Sequence, residues 1–143
     1  MPGEKLKIMT IFGTRKELIR LYPVIEKLKT DALFESIIVT TSQLQEEFDD
    51  LYALFGIKPD HDLNLRRSKT SLADITNLAL SGLEPLLKDQ QPDLVLVQGE
   101  STTAFVGALA AFYHKIPVKI GIKVCKSKKT YGDACWGMSG QFP

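Results

Sequence analysis

The chain has 143 residues, 44% of them hydrophobic and 24% charged, and a formal net charge of +1. That is enough for one domain with a full core, and the near-neutral balance excludes an electrostatic case for nucleic acid or an anionic membrane. The apolar stretch near the start is broken at Gly13-Thr14-Arg15, too early for a signal segment or a membrane span, so the chain is read as cytoplasmic.

The first predicted element is a buried strand over Lys5–Phe12, carried by Ile8, Ile11 and Phe12. Gly13 supplies a tight turn at its end. Thr14 reads as a helix N-cap and Glu17, three residues on, as its capping-box partner. The helix that follows shows Leu18, Tyr22, Ile25 and Leu28 at helical spacing. Pro23 inside it predicts a bend or a local break. Glu35–Thr41 is the second strand, closed by the polar corner Ser42-Gln43. A second helix is expected from about Leu44 to Phe55, stopped by Gly56 at the C′ position. Asp62–Leu65 reads as a short strand after a Pro59-Asp60 turn.

Thr70 or Ser71 caps a third helix, with Leu72, Ile75, Ala79, Leu83 and Leu86 as its buried stripe; Gly82 and Pro85 weaken its last turns. Leu94–Val97 is an unbroken apolar run, as expected of a central parallel strand covered on both faces. It closes on Gln98-Gly99-Glu100, and Ser101 or Thr102 caps a helix through Phe112. That helix is apolar nearly all round, which predicts close packing against other elements. Ile116-Pro117-Val118 opens a further strand. The alternation gives the fold class: α/β, a Rossmann-like parallel sheet with helices on both faces and right-handed crossovers.

The corners after Phe12, Thr41 and Val97 all fall on the carboxyl-terminal edge of such a sheet, where open α/β proteins bind ligands. Gly13–Glu17, Ser42-Gln43 and Gln98–Thr103 are therefore expected to converge. The unsatisfied N–H groups at the start of the first helix, with Arg15 beside them, would make an anion site there. An ordinary strand-to-helix turn with a surface arginine accounts equally well for the spacing. Glu100 likewise fits a carboxylate favoured at a helix start by the macrodipole. Cys125 and Cys135 match neither a CxxC motif nor a zinc spacing, and only His61 and His114 could assist them, so no metal site is expected and both thiols are read as reduced. The two histidines are read as surface or loop residues.

The corners, taken in order, resemble the amino-terminal domain of the non-hydrolysing UDP-N-acetylglucosamine 2-epimerases. Phe12-Gly13-Thr14-Arg15-Lys16-Glu17 is similar to that family's Phe-Gly-Thr-Arg-Pro-Glu, and Thr41-Ser42-Gln43 to its Thr-Gly-Gln. Pro59–Asn64 resembles its Pro-Asp-Tyr-Asp-Leu-Asn loop, and Pro92–Thr102 a strand and corner ending Gly-Asp-Thr-Thr. The resemblance implies one half of a two-domain, GT-B-like enzyme that interconverts UDP-GlcNAc and UDP-ManNAc. UDP is eliminated and then re-added on the other face of the sugar. That chemistry needs an acid and a base near C2, and positive charge for the diphosphate. It implies no cofactor.

By motif, Arg15 and Gln43 match substrate-binding positions, with Gly13 and Thr14 in the same corner. Arg20 stands where the family has a helix lysine, and Glu100 where it has a catalytic aspartate. The implied partners are a UDP-sugar and either a second copy of the chain or a separate carboxyl-terminal half. Lys16, Ser42 and the longer Glu100 depart from the pattern, as does Leu44-Gln45 where His-Arg is usual. The pattern is lost after Val118, which predicts a domain over residues 1–118, a divergent tail over 119–143, and a truncated or frame-shifted half without activity of its own. The lysines of that tail are read as solvated charge.

Overall fold

A computed structural model describes residues 3–42, 48–65 and 71–121. Within them lie β1 (Leu6–Phe12), α1 (Arg15–Thr30), β2 (Phe34–Thr40), α2 (Asp49–Phe55), β3 (His61–Asp62), α3 (Leu72–Gln90), β4 (Leu94–Gln98), α4 (Thr102–Tyr113) and β5 (Val118–Gly121). Gln43, Leu44, Gln45, Thr70, Cys125 and Cys135 fall outside the described residues, and so do the expectations attached to them.

The five strands form one sheet in the order β3-β2-β1-β4-β5, and every pairing is parallel. Strand pleating sorts the side chains to two faces. Ile8 and Phe12 of β1, with Ile38 and Leu96, pack beneath Leu18, Leu21 and Ile25 of α1 and Leu51 of α2. Met9 and Ile11, with Val39, Val95 and Val97, pack beneath Ala79, Leu83 and Leu87 of α3 and Val106, Ala110 and Ala111 of α4. Both faces are therefore covered, as a parallel sheet requires. Each of the Val, Leu, Ile, Phe and Met side chains among these, fully buried, contributes about 1.5–3 kcal/mol. Phe12 and Phe48 stand 5.9 Å apart, Phe48 stacks on Tyr52 at 5.4 Å, and Tyr22 stacks on Phe55 at 4.1 Å, which ties α2 to α1 and the sheet.

Several local expectations are corrected. Pro23 does not break α1, which runs on to Thr30. Proline removes the bond to the carbonyl four residues back, here that of Ile19, and Ile19 is 48% exposed, so water can take that carbonyl's place. Similarly, α3 continues through Gly82 and Pro85 to Gln90, with the Pro85 clash directed at the exposed Ser81. On α3 the buried line is Ala79, Leu83 and Leu87, four residues apart. Leu86 sits on its flank, and Leu72, in the first turn, is 71% exposed.

The third strand is His61–Asp62 rather than Asp62–Leu65. Asn64 takes a left-handed φ of 49°, with its N–H donated to the Asp62 carboxylate at 2.8 Å, and that turn ends the strand. The packing expected all round α4 holds on one side only, since Phe105 is 62% and Tyr113 60% exposed. No described helix is long and apolar enough to cross a membrane.

Candidate functional site

The chain leaves β1 in one direction towards β2, and β4 takes the other side of β1. The carboxyl-terminal ends of β1 and β4 thus flank a topological switch point, the usual crevice of open α/β sheets. Three corners meet there, and the contacts between them are specific.

In the first corner Thr14 is extended, at φ −126° and ψ 157°, and caps α1. Its hydroxyl oxygen accepts the Glu17 N–H at 3.4 Å. In return one Glu17 carboxylate oxygen accepts the N–H of Gly13 at 2.7 Å and that of Thr14 at 3.0 Å. The capping box expected from Thr14 and Glu17 is thus formed. It also changes the anion-site expectation. The amides of Gly13, Thr14 and Glu17 are already bonded, two of them to a carboxylate the chain itself provides. An incoming anion therefore meets the first-turn amides of Arg15 and Lys16 and the side chains around them. Arg15 is half-buried; Lys16 and Arg20 are exposed.

The second corner carries Thr41 and Ser42, both buried. The Thr41 N–H donates to the Phe12 carbonyl at 3.0 Å, so it continues the β1–β2 ladder into the corner. Ser42 is held at φ 47°, with its N–H donated to the Thr40 hydroxyl at 3.1 Å. This left-handed backbone suits glycine, the residue of the resembled pattern at that position.

The third corner begins at Gln98, whose side chain is buried against Gly121 of β5: a Cβ there would fall 1.9 Å from the Gln98 amide oxygen. Gly99 follows at φ 80°, and the place a Cβ would take on it lies 3.8 Å from Nη1 of Arg20. Arg20 therefore reaches from α1 to the β4 corner, beside the exposed Glu100. Ser101 caps α4 by accepting the Ala104 N–H at 3.1 Å.

Two tethers join the corners. The hydroxyls of Thr41 and Thr103 are 3.0 Å apart, and both side chains are fully buried. Gly13 lies against that pair, where a Cβ would come within 2.2 Å of Thr41 Oγ1 and 2.3 Å of Thr103 Oγ1. The second tether is the Ser101 hydroxyl, which donates to the other oxygen of Glu17. Glu17 is 4% exposed, so a buried carboxylate is satisfied by two amides and a hydroxyl.

Gly13, Thr14, Arg15, Arg20 and Glu100 are accordingly brought to one edge. The convergence of the first, second and third corners expected from the sequence is present at Gly13, Thr41 and Thr103. The sequence did not reveal the Glu17–Ser101 bond, for which nothing local signals a partner 84 residues away. His114 lies at the other end of α4, where its Nε2 meets the Glu84 carboxylate at 2.7 Å, away from this edge. Among the described residues, no group of three His, Cys, Asp or Glu side chains is placed to hold a metal ion.

The family model described as UDP-N-acetylglucosamine 2-epimerase matches residues 26–119. The UDP-N-acetylglucosamine 2-epimerase of Bacillus subtilis is 47% identical over 115 residues, which is 80% of this chain and 30% of the relative. A crystal structure of a UDP-N-acetylglucosamine 2-epimerase superposes at a TM-score of 0.80 with 43% identity, covering 90% of this chain and 36% of the other. That of the Neisseria meningitidis UDP-GlcNAc 2-epimerase bound to UDP-GlcNAc superposes at 0.78 with 40% identity, over 92% of this chain and 36% of the other. The chain thus spans about a third of the length of these relatives. The family-model match, the extent of identity and the superpositions lead to one conclusion: the chain belongs to the UDP-N-acetylglucosamine 2-epimerase family.

Proposed function

We propose that the switch-point edge is the amino-terminal wall of a UDP-sugar site, and that the chain serves UDP-GlcNAc 2-epimerisation as one half of the machinery. The observation that carries this reading is the meeting of Gly13, Thr41 and Thr103, with Arg20 laid against Gly99 beside Glu100. Arg15 and Arg20 supply positive charge for the diphosphate as it leaves C1. Gly13 and Thr14 fix the start of the helix that bears them, and Gln43 is assigned to substrate binding by its motif alone. Glu100 is the carboxylate for proton transfer at C2. The remaining acid–base group and the nucleotide clamp belong to the roughly two-thirds of the family's length that lies outside the region matched here.

A second reading, binding without turnover, is favoured by Glu100. It is exposed and one methylene longer than the aspartate of the resembled pattern, and a misplacement of roughly 1 Å can cost about a hundredfold in rate.

The test is titration calorimetry of UDP-GlcNAc into the purified chain, alone and with the separately expressed carboxyl-terminal two-thirds of the Bacillus subtilis relative. Binding is expected in both cases, with turnover only in the second. Arg15→Ala and Arg20→Ala should each weaken binding about tenfold, equivalent to about 1.4 kcal/mol. Binding with no turnover in the mixture would select the second reading. An absence of binding in both preparations refutes the proposal and leaves an inert remnant.

A further inference from the structure

We infer that Glu17 is a positioning residue of this site, whose buried carboxylate locks the β1–α1 corner to the β4–α4 corner. The inference rests on the site reading above, and extends it to a residue that reading leaves as a helix cap.

A capping-box glutamate ordinarily spends its carboxylate on its own helix start, on the protein surface. Glu17 departs from that in two respects: it is 4% exposed, and only one of its oxygens serves α1. The other receives the Ser101 hydroxyl. Ser101 in turn accepts the Ala104 N–H in the first turn of α4. A continuous chain of hydrogen bonds therefore runs from the end of β1, through one carboxylate and one hydroxyl, into α4. Its ends are next to the residues that matter: Thr14 precedes Arg15, and Ser101 follows Glu100. With its hydrogen committed to Glu17, the Ser101 hydroxyl has a fixed direction, and its oxygen is turned towards α4. The same carboxylate takes the Gly13 and Thr14 amides out of reach of a ligand anion, which directs a diphosphate to the side chains of Arg15 and Arg20.

The geometry also separates charge from shape. Glutamine at this position can still accept from Gly13 and Thr14 through its oxygen. Its amide N–H₂ can donate to the Ser101 oxygen, which has lone pairs for both that group and Ala104. Alanine can do neither. Glu17→Gln should therefore preserve the lock, and Glu17→Ala should open it.

The experiment is amide hydrogen exchange by NMR on the full chain, with UDP-GlcNAc titrated into the same samples. In Glu17→Ala, exchange at Gly13, Thr14 and the remote Ala104 should each accelerate at least tenfold, and affinity should fall about tenfold or more. Glu17→Gln should return both to within about threefold of wild type. Ser101→Ala, which leaves the α1 capping box intact, should weaken binding while the chain remains folded. It keeps the inference decidable if Glu17→Ala does not fold.

Acceleration confined to Gly13 and Thr14, with Ala104 unchanged, would show a local cap and overturn the lock. Unchanged affinity in Ser101→Ala would overturn it equally. Failure of the wild-type chain to bind would instead count against the proposed function, and the Ala104 exchange would still decide whether the corners are locked.

Discussion

Replacing Gly13 with alanine should be among the most damaging single-methyl changes available to this chain. The added carbon would lie 2.2 Å from Thr41 Oγ1 and 2.3 Å from Thr103 Oγ1, with Thr103 Cβ a further contact at 3.1 Å. Both hydroxyls would have to withdraw by roughly 1 Å to reach ordinary contact distance. Each is fully buried, and they bond to each other at 3.0 Å. Separating them breaks this buried bond and leaves the Thr41 hydroxyl without it, at about 1–3 kcal/mol. Forcing the surrounding backbone apart adds about 1–3 kcal/mol. A total of about 4 kcal/mol corresponds to a Tm lowered by on the order of 15 °C in a domain of this size. Thermal and urea unfolding followed by circular dichroism would measure it. In Gly13→Ala combined with Thr103→Ala, one obstructing hydroxyl and its bond are removed together, so the double variant should be less destabilised than the sum of the singles by about 1 kcal/mol or more. A Gly13→Ala protein that melts within about 2 °C of wild type would refute the packing argument, and with it the claim that the corners meet at this glycine.

Ser42→Gly should stabilise the chain by about 1 kcal/mol, through relief of a left-handed backbone and removal of a buried hydroxyl that has no partner among the described residues; a lower urea midpoint for the variant contradicts this. Glu84 bonds to His114 at 2.7 Å and to Lys88 at 3.2 Å, and these, the histidine first, hold its carboxyl below its ordinary 4.5. Because the folded pKa is the lower one, its contribution is present above pH 4.5 and is lost as pH falls through the folded value. Glu84→Gln should accordingly flatten the acid limb of a Tm-against-pH curve, and an unchanged limb would remove this pair from the account.

The residues that make their structure locally were legible in the sequence. Gly13, Thr14 and Glu17 announce a turn, a cap and a capping box within five positions. Gly56 announces a left-handed C-cap, observed at φ 62°. Leu94–Val97 announces a central strand by composition alone. What was not legible depends on partners distant in the chain or on where a helix faces. Nothing near Glu17 points to Ser101, and nothing near Gly13 says that Thr41 and Thr103 will close over it. The helical period could not choose between Leu86 and Leu87, one residue apart, because that depends on how α3 is rotated on the sheet. Proline was read too strictly at positions 23 and 85. Its penalty depends on whether the orphaned carbonyl can reach water, and at Ile19 and Ser81 the residue bearing it is exposed. In the candidate site, the residue types were evident but their connection was not.

The central place of β1 has a consequence for how the chain acquires its structure. β1 pairs with β2 after a short local excursion, Leu6 facing Phe34, but its other edge waits for β4, where Ile8 faces Leu94. Such non-local parallel pairing carries a loop-closure cost before any contact rewards it, and slows folding. During synthesis the middle strand stays open on one side until β4 has emerged, presenting an apolar ribbon with unpaired amides and carbonyls. The Glu17–Ser101 and Thr41–Thr103 bonds can form only after that step. The switch-point edge is thus among the last parts of the molecule to be assembled, and fragments ending before Gln98 should aggregate rather than fold.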